Sequence, residues 1–373
     1  MFVQKLSLEG GLKTVPSNRI FGLDLLRALA ILSVVIGHGL PILGAANTEF
    51  PWIPTGDGVD MFFVLSGYLI GGILISEFVV PGRIGMKELG HFLMRRWFRT
   101  LPNYYLILGL NVIFAYYGWN MGNLEFFSWK FLPFLQNLAW PFEGFFWESW
   151  SLAVEEWFYL SFPVVVLVIS LFSRDVEKRK WLFMGAVMLF LLLPIALRML
   201  HFTETMDRYR WDTGVRKVVI HRLDSIAYGL AMVCLARFAP VFWRKMRWPM
   251  FIAGFGLFIF LVNYRQPVTS HYAQIWVFSL NSVAYALWLP LLSQILSAPA
   301  WLARPIRHIS LISYSMYLVH LGLVSEVFQK WALPTTASAA WWTYLVYFSI
   351  VVAVSTLLYY IWERPMMNLR DKF

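Results

Sequence analysis

The run FGLDLLRALAILSVVIGHGLPIL, from Phe21 to Leu43, decides the fold class of this chain. It stays predominantly apolar over about 20 residues, which is the length that an α-helix needs to cross the hydrocarbon core of a bilayer. In lipid every backbone polar group must be satisfied within the segment, so a helix is the expected spanning element. The run therefore predicts a transmembrane helix.

The composition of the whole chain supports this interpretation. Of 373 residues, 59% are hydrophobic, 18% are aromatic and only 14% are charged, and the mean hydropathy is +0.61. These values exclude an ordinary water-soluble domain. The single cysteine, Cys234, excludes an intramolecular disulfide and argues against a cysteine metal site. We therefore expect no metal cofactor.

Similar runs recur along the chain and predict an all-α, polytopic membrane helix bundle. The ten predicted spans are Phe21–Leu43, Val59–Val80, Leu101–Gly118, Ser149–Phe172, Trp181–Leu200, Lys217–Phe238, Pro249–Tyr264, Ile275–Ser297, Ile309–Leu333 and Trp341–Trp362. Residues 1–373 are predicted as a single transmembrane domain with no fused soluble domain, because no polar stretch between the spans is long. Residues 1–19 form a short cytoplasmic arm that lacks the pattern of a cleaved signal peptide.

Basic residues predict the orientation of the bundle. The chain has a net charge of +10, and Lys and Arg accumulate on the cytoplasmic side of membrane proteins. If the amino terminus is cytoplasmic, 21 of the 31 basic residues fall in cytoplasmic segments and seven in outer ones, so both termini are predicted in the cytoplasm. Orientation, and not nucleic-acid binding, is therefore the expected reason for the charge. The outer segment His201–Lys217 holds four of those seven, which indicates either an error in the span count or a surface for an anionic acceptor.

The first span carries the best candidate site. Ionisable groups inside spans are costly and usually mark function. Arg27 and His38 are about three helical turns apart, so they share one face at a separation of about 16 Å. A histidine is suited to take and return a proton near neutral pH. The alternative interpretation is that Asp24 and Arg27 form a structural pair while His38 caps a carbonyl.

The fourth span opens with WESWSLAVEEWFYLSFP, which places Glu155 and Glu156 near its outer boundary. Because adjacent carboxylates point in different directions, one of them at most faces the bundle interior. We predict that Glu155 orients the imidazole of His38, as the third member of a catalytic triad does. The alternative is a hydrogen bond that serves helix packing only.

The segment HFLMRRWFRTLP, between the second and third spans, brings Arg95, Arg96 and Arg99 towards the membrane from the cytoplasm. Arg96 and Arg99 can present two guanidinium groups on one face, which suits phosphate. The alternative is that these arginines anchor the chain to lipid phosphates.

Polar and aromatic residues in the other motifs complete the candidates. The run GDGVDMFFVLSGYLIGG in the second span has the small residues that allow close helix approach. The remaining candidate site residues are Asp24, Asp60, Ser66, Trp150, Ser151, Arg222, Asp224, Ser315, Tyr317 and His320. Their individual roles stay open at this point.

Together these segments resemble the acyltransferase-3 family of integral membrane acyltransferases, which acylate sugars of bacterial surface polysaccharides and related glycans. The resemblance covers nearly the whole chain. It rests on seven motifs in family order: Arg27 to His38 within LDLLRALAILSVVIGH, then FFVLSGYLI, RRWFRTLP, WSLAVEEWFYLSFP, HRLDSIAYG, SYSMYLVH and WERP.

The resemblance implies a multi-pass O-acyltransferase of a bacterial inner membrane. It implies transfer of an acyl group, usually acetyl, from cytoplasmic acetyl-CoA to a hydroxyl of a glycan or glycolipid at the outer face. It also implies that Arg27 and His38 are essential and that the Arg96 and Arg99 pair serves the donor. Some members carry an additional esterase-like domain, which is not expected in a sequence that stops at Phe373.

The chemistry of the candidate residues fits this function. The phosphates of coenzyme A cannot enter lipid, so we expect them at the cytoplasmic mouth beside Arg27 and the Arg95–Arg99 cluster. His38 is expected to act as general base for direct attack on the thioester, and an acyl-histidine intermediate is the competing route. The alternative function is a transporter of polysaccharide or lipid-linked glycan without acyl transfer. The sequence leaves the oligomeric state, the acceptor sugar and the size of the acyl group undefined.

Overall fold

The computed structural model describes residues 19–46, 56–79, 85–171 and 175–369. Within these ranges the regular secondary structure is entirely helical, with no strand. Its helices are α1 (Phe21–Gly44), α2 (Gly58–Leu74), α3 (Met86–Tyr116), α4 (Ser149–Ser170), α5 (Val176–Leu200), α6 (Arg208–Trp211), α7 (Leu223–Phe238), α8 (Pro240–Lys245), α9 (Arg247–Asn263), α10 (Val277–Ala286), α11 (Leu289–Leu292), α12 (Ala300–Val319), α13 (Glu326–Trp331), α14 (Ala337–Leu358) and α15 (Arg364–Leu369). The predicted arm up to residue 18 and the predicted span ends Val80 and Phe172 lie outside the described residues.

Six helical segments of the described chain are long and apolar enough to cross a membrane. They are Phe21–Gly44, Ser149–Ile169, Val176–Leu200, Tyr272–Leu292, Ala300–Trp331 and Ala337–Leu369, and two shorter apolar helices are Gly58–Leu74 and Arg247–Asn263. The protein is therefore an all-helical, multi-pass membrane protein, which confirms the predicted class. The count of ten spans and the cytoplasmic position of both termini stay predictions.

The third predicted span is the second half of a longer helix. α3 runs without interruption from Met86 to Tyr116, whereas the sequence placed Arg95, Arg96 and Arg99 in a connector before the span. No glycine or proline lies between residues 90 and 102, so nothing in that stretch interrupts the helical hydrogen bonds. The three arginines are consequently held on a rigid helix.

The bundle is built around α1, which packs against α2, α12 and α14. α2 in turn crosses α7 at very close range, because Gly67 and Gly229 face the opposite backbone. A Cβ atom on Gly67 would overlap the carbonyl oxygen of Ile226, and one on Gly229 would overlap that of Val64. The glycines of FFVLSGYLI and HRLDSIAYG therefore serve close helix packing.

The connection between α3 and α4 folds back along both helices. Tyr104 of α3 donates to the carbonyl oxygen of Phe131 at 2.8 Å, and Nε1 of Trp157 in α4 donates to that of Phe134 at 2.9 Å. Tyr104 lies about three turns before the end of α3, and Trp157 about two turns after the start of α4. Side-chain donors thus satisfy carbonyl groups of this loop that no helix pairs.

The segment His201–Lys217 forms an ion-pair network with the start of α2. Arg216 donates to Asp57 at 3.1 Å and to Asp212 at 3.0 Å, and Lys217 also bonds to Asp212. The excess of positive charge that the sequence showed here is therefore largely paired.

The sixth predicted span begins at Lys217, whereas the helix that the structure shows there begins later. α7 begins at Leu223, after a short 3₁₀ turn. Burial lowers the pKa of Lys217 to about 8, although the carboxylate of Asp212 opposes the shift. At Asp212 burial acts to raise the pKa, but Arg216 and Lys217 outweigh it and lower the pKa of the carboxyl group.

Candidate functional site

α1 carries the two residues that the sequence singled out, and it places them in different surroundings. Arg27 is half-buried and lines an internal cavity. His38, about three turns further along, is exposed and does not line that cavity. The side chains that lie between the cavity and His38 belong to other helices.

Asp24 pairs with Arg19 and not with Arg27. Nη2 of Arg19 lies 2.5 Å from Oδ1 of the buried Asp24, and Ser310 of α12 donates to the same oxygen at 2.8 Å. The structural Asp24–Arg27 pair that the sequence left open is therefore absent. No described residue forms a hydrogen bond or ion pair with the guanidinium group of Arg27.

A cavity of about 190 Å³ lies between α1, α2, α3, α4 and α12. Seven of the predicted candidates line it: Arg27, Ser66, Arg96, Arg99, Ser151, Glu155 and Tyr317. Apolar side chains such as Phe62 and Ile70 form much of the remaining wall. The fold thus brings together residues from five helices that are far apart in sequence.

The cavity has an excess of positive charge. Three guanidinium groups, of Arg27, Arg96 and Arg99, face it together with one carboxylate, that of Glu155. Arg96 stacks on the ring of Tyr159, with Cζ 4.0 Å from the ring centroid, and its Nε has no hydrogen-bond partner among the described residues. Arg95 is exposed and lies outside the cavity, so the structure separates it from the other two arginines of its cluster.

Glu155 lies at the cavity, where it accepts a hydrogen bond from Ser66. The Ser66 hydroxyl is 2.8 Å from its Oε1. The neighbouring carboxylate, Glu156, accepts from Thr100 of α3 at 2.8 Å. The structure therefore does not show the predicted contact between Glu155 and His38. The ring of His38 has another hydrogen-bond partner.

His38 forms a hydrogen-bonded pair with His320. Nδ1 of His38 lies 2.9 Å from Nε2 of His320, and the ring centroids are 4.9 Å apart. The Ser325 hydroxyl donates to the backbone carbonyl of His38 at 2.8 Å. Residues His320–Ser325 form a π-helical turn between α12 and α13, a feature that is frequent at functional sites.

Tyr317 stands between the cavity and the histidine pair. Its ring lines the cavity, and its centroid lies 5.7 Å from that of His320. The Tyr317 hydroxyl is 2.6 Å from that of Ser151 and donates to the carbonyl of Glu148 at 3.1 Å. Phe62 contacts the Tyr317 ring edge-on at 6.4 Å. Tyr317 therefore contacts both the cavity and the histidine pair.

Four other candidates belong to buried ion pairs or pack against one. Arg222 pairs with Asp60, and Arg198 pairs with Asp224 at 2.8 Å; all four side chains are fully buried. Trp150 lies under the guanidinium group of Arg222, at 5.6 Å from its Cζ. None of these residues lines the cavity described above.

Ser315 bonds to a residue that the sequence did not single out. It donates to Oε2 of the buried Glu363 at 2.5 Å, and Asn103 of α3 donates to the same oxygen at 3.0 Å. Glu363 is the acidic residue of the WERP motif. Its position as an ionisable group directly after the last predicted span is the sequence feature that could have identified it as a candidate. Arg19 was also not among the candidate residues. Its position just before the first predicted span is the feature that could have identified it.

The cavity and the histidine pair are built from the motifs that suggested a family. The model of the acyltransferase domain of the acyltransferase-3 family matches residues 20–360 of this chain. The chain belongs to the acyltransferase-3 family. The resemblance inferred from the seven motifs is thereby confirmed.

Curated relatives of this acyltransferase-3 chain are longer proteins. The peptidoglycan O-acetyltransferase OatA of Listeria monocytogenes is 30% identical over 346 residues, which cover 84% of this chain and 50% of the relative. A putative O-acetyltransferase of Staphylococcus aureus strain COL is 26% identical over an alignment of 389 residues, covering 96% and 59%. The putative peptidoglycan O-acetyltransferase YrhL of Bacillus subtilis is 34% identical over 173 residues, covering 42% and 25%. The chain thus spans about half the length of the first two relatives, and no solved structure matches it.

Proposed function

We propose that this protein transfers an acetyl group from cytoplasmic acetyl-CoA to a hydroxyl of a cell-wall glycan at the outer face of a bacterial cytoplasmic membrane. The observation that carries the proposal is the arrangement along α1. Arg27 faces a cavity with two further arginines, and an accessible imidazole, His38, lies about 16 Å further along the same helix. The relatives named as peptidoglycan O-acetyltransferases favour acetyl as the acyl group and a glycan as the acceptor.

The arginine cavity is the proposed donor site. The phosphates of coenzyme A are anionic and stay at the cytoplasmic mouth, because charges are costly in the hydrocarbon core. Arg96 and Arg99 bind these phosphates by charge-assisted hydrogen bonds, and Arg27 lies deeper, on α1. The uncharged pantetheine arm extends between the apolar walls towards Tyr317.

His38 is the proposed general base. Its imidazole takes the proton from the acceptor hydroxyl, and the hydroxyl oxygen attacks the carbonyl carbon of the thioester. The carbon–sulfur bond breaks, and the proton passes from His38 to the leaving sulfur, so the products are the acetyl ester and coenzyme A. For this step the thioester must extend from the cavity beyond Tyr317, which lines the cavity and contacts His320.

Replacement of His38 by Ala tests the proposal. Purified protein in lipid vesicles is supplied with labelled acetyl-CoA and a soluble peptidoglycan fragment, and esters on the fragment are counted by mass spectrometry. We expect His38→Ala to lower transfer by about 10²- to 10⁴-fold while acetyl-CoA still binds, because general acid–base catalysis is worth that factor. His91→Ala is the matched control, since His91 is an exposed histidine of α3 away from the cavity.

Three outcomes contradict this scheme in different ways. Transfer that persists in His38→Ala removes the residue from the mechanism, and an absence of transfer in the wild type favours a transporter. An acetyl group trapped on His38 in the absence of acceptor replaces direct attack by the two-step route.

A further inference from the structure

The ring of His38 is part of a continuous hydrogen-bond chain that ends on a backbone carbonyl. Nδ1 of His320 lies 2.7 Å from the carbonyl oxygen of Tyr317, and Nε2 of His320 lies 2.9 Å from Nδ1 of His38. His320 is fully buried, whereas His38 is exposed. The chain therefore runs from the interior of α12 to an accessible imidazole on α1.

The carbonyl group at the end of this series of hydrogen bonds determines which atom donates in each of them. A carbonyl oxygen can only accept, so Nδ1 of His320 carries the proton. In a neutral imidazole the other nitrogen is then an acceptor, so Nε2 of His320 accepts from Nδ1 of His38. Nε2 of His38 is consequently the nitrogen without a proton.

We propose that His320 is a positioning residue that fixes His38 in the tautomer with a free lone pair on Nε2. This inference rests on the proposed function, because a free Nε2 matters only if His38 takes a proton from the acceptor. His320 plays the part that a carboxylate plays in a catalytic triad, since it holds the ring and its tautomer without touching substrate.

Asp57 is the carboxylate whose charge acts on His38, and it is already engaged by other groups. Asp57 accepts from Arg216 at 3.1 Å and from the backbone amide of Val59 at 3.0 Å. His320 is therefore the side chain that holds the ring of His38 among the described residues.

Three charged side chains act on the ring of His38. Arg216 and Lys217 are the cations and Asp57 is the anion whose charges act on His38, and Arg216 is itself paired with Asp57. When His38 takes a proton, its Nδ1–H remains bonded to His320 and Nε2 holds the transferred proton.

The tautomer is measured directly by ¹⁵N solid-state NMR of histidine-labelled protein in lipid bilayers. The chain has seven histidines, and the signals missing from a His38→Gln sample identify those of His38. We expect Nδ1 of His38 protonated and Nε2 unprotonated, and a displaced Nδ1 signal in His320→Leu. A protonated Nε2 in the wild type overturns the inference, and so does an Nδ1 signal that His320→Leu leaves unchanged.

Kinetics separates positioning from a purely structural contribution. His320→Leu fills the space but has no acceptor, so acetyl transfer should fall by about 10- to 100-fold with acetyl-CoA affinity unchanged within about twofold. His320→Gln offers an amide oxygen to Nδ1 of His38 and should recover most of the rate. His308→Leu is the matched control. His308 lies on α12, which leads into the turn that holds His320, and it bonds to Thr356 at 3.1 Å instead.

The outcomes distinguish this inference from the proposed function. Loss of transfer in His38→Ala together with full activity in His320→Leu overturns the positioning role alone. Retained transfer in His38→Ala overturns the proposed function, whatever tautomer the spectra show. If His320→Leu does not fold, the wild-type spectrum and the activity of His320→Gln still test the positioning role. A His320→Gln variant as inactive as His38→Ala counts against the inference.

Discussion

Arg19 holds the carboxylate of Asp24 through two hydrogen bonds, from Nη2 to Oδ1 at 2.5 Å and from Nε to Oδ2 at 3.1 Å. Asp24 is buried, and a buried carboxylate that loses its cation is strongly destabilised. Arg27 lies three residues further along the same helix, which is the spacing at which opposite charges on a helix meet. The Arg19–Asp24 pair therefore leaves Arg27 available to the donor cavity.

Replacement of Arg19 by Gln should weaken acetyl-CoA binding by about tenfold, although Arg19 does not line the cavity. The expected reason is that the released Asp24 carboxylate draws Arg27 away, and one charge-assisted hydrogen bond is worth about 1.5–3 kcal/mol. The double variant Arg19→Gln, Asp24→Asn should bind within about threefold of wild type. Binding of labelled acetyl-CoA to protein in nanodiscs measures both, and a double variant as weak as the single one refutes the explanation.

The two arginines of α3 at the cavity should matter more than the exposed one beside them. Replacing Arg96 and Arg99 together by Gln is expected to weaken acetyl-CoA binding by about 100-fold, because two charged contacts to phosphate are lost. Arg95→Gln is the matched control and should change the affinity by less than about twofold. If the double variant and Arg95→Gln change the affinity equally, the whole cluster is better explained by lipid anchoring.

The sequence predicted that Arg27 and His38 lie on one helix, but not the different surroundings that the structure gives them. The spacing of Arg27 and His38 fixes their separation along the axis as soon as the segment is helical. The fold class followed in the same way from apolar length. Both inferences depend only on local geometry and on the thickness of a membrane.

The partners of these residues were not predictable because they come from distant helices. His320 lies 282 positions after His38, and Ser310 lies 286 positions after Asp24. Glu155 was assigned to His38 from its predicted depth alone, whereas the packing of α2 against α4 gave it Ser66. Sequence periodicity defines the face and depth of a side chain, and tertiary packing decides which residue it meets.

The buried Arg198–Asp224 pair should be required for folding and not for chemistry. Both side chains have zero exposure, so Asp224→Asn leaves a buried cation without its partner and should cost about 3–5 kcal/mol of stability. Transfer per folded molecule should stay within about threefold of wild type. Asp207→Asn, which breaks the exposed pair with Arg210, is the control and should cost less than about 1 kcal/mol. Thermal unfolding in detergent measures the loss of stability. A stable but inactive Asp224→Asn protein would place this motif in the active site.

The carboxylate of Glu155 should act on the donor and not on His38. It faces Arg27, Arg96 and Arg99 across the cavity, so Glu155→Gln removes the negative charge there while an amide oxygen can still accept from Ser66. We expect acetyl-CoA to bind several-fold more tightly in this variant, most clearly at low salt, because the phosphates then meet a more positive site. The rate of transfer at saturating donor should fall by less than about tenfold. A fall of 10³-fold or more with unchanged donor affinity would instead support the role that the sequence predicted, in which Glu155 orients the base.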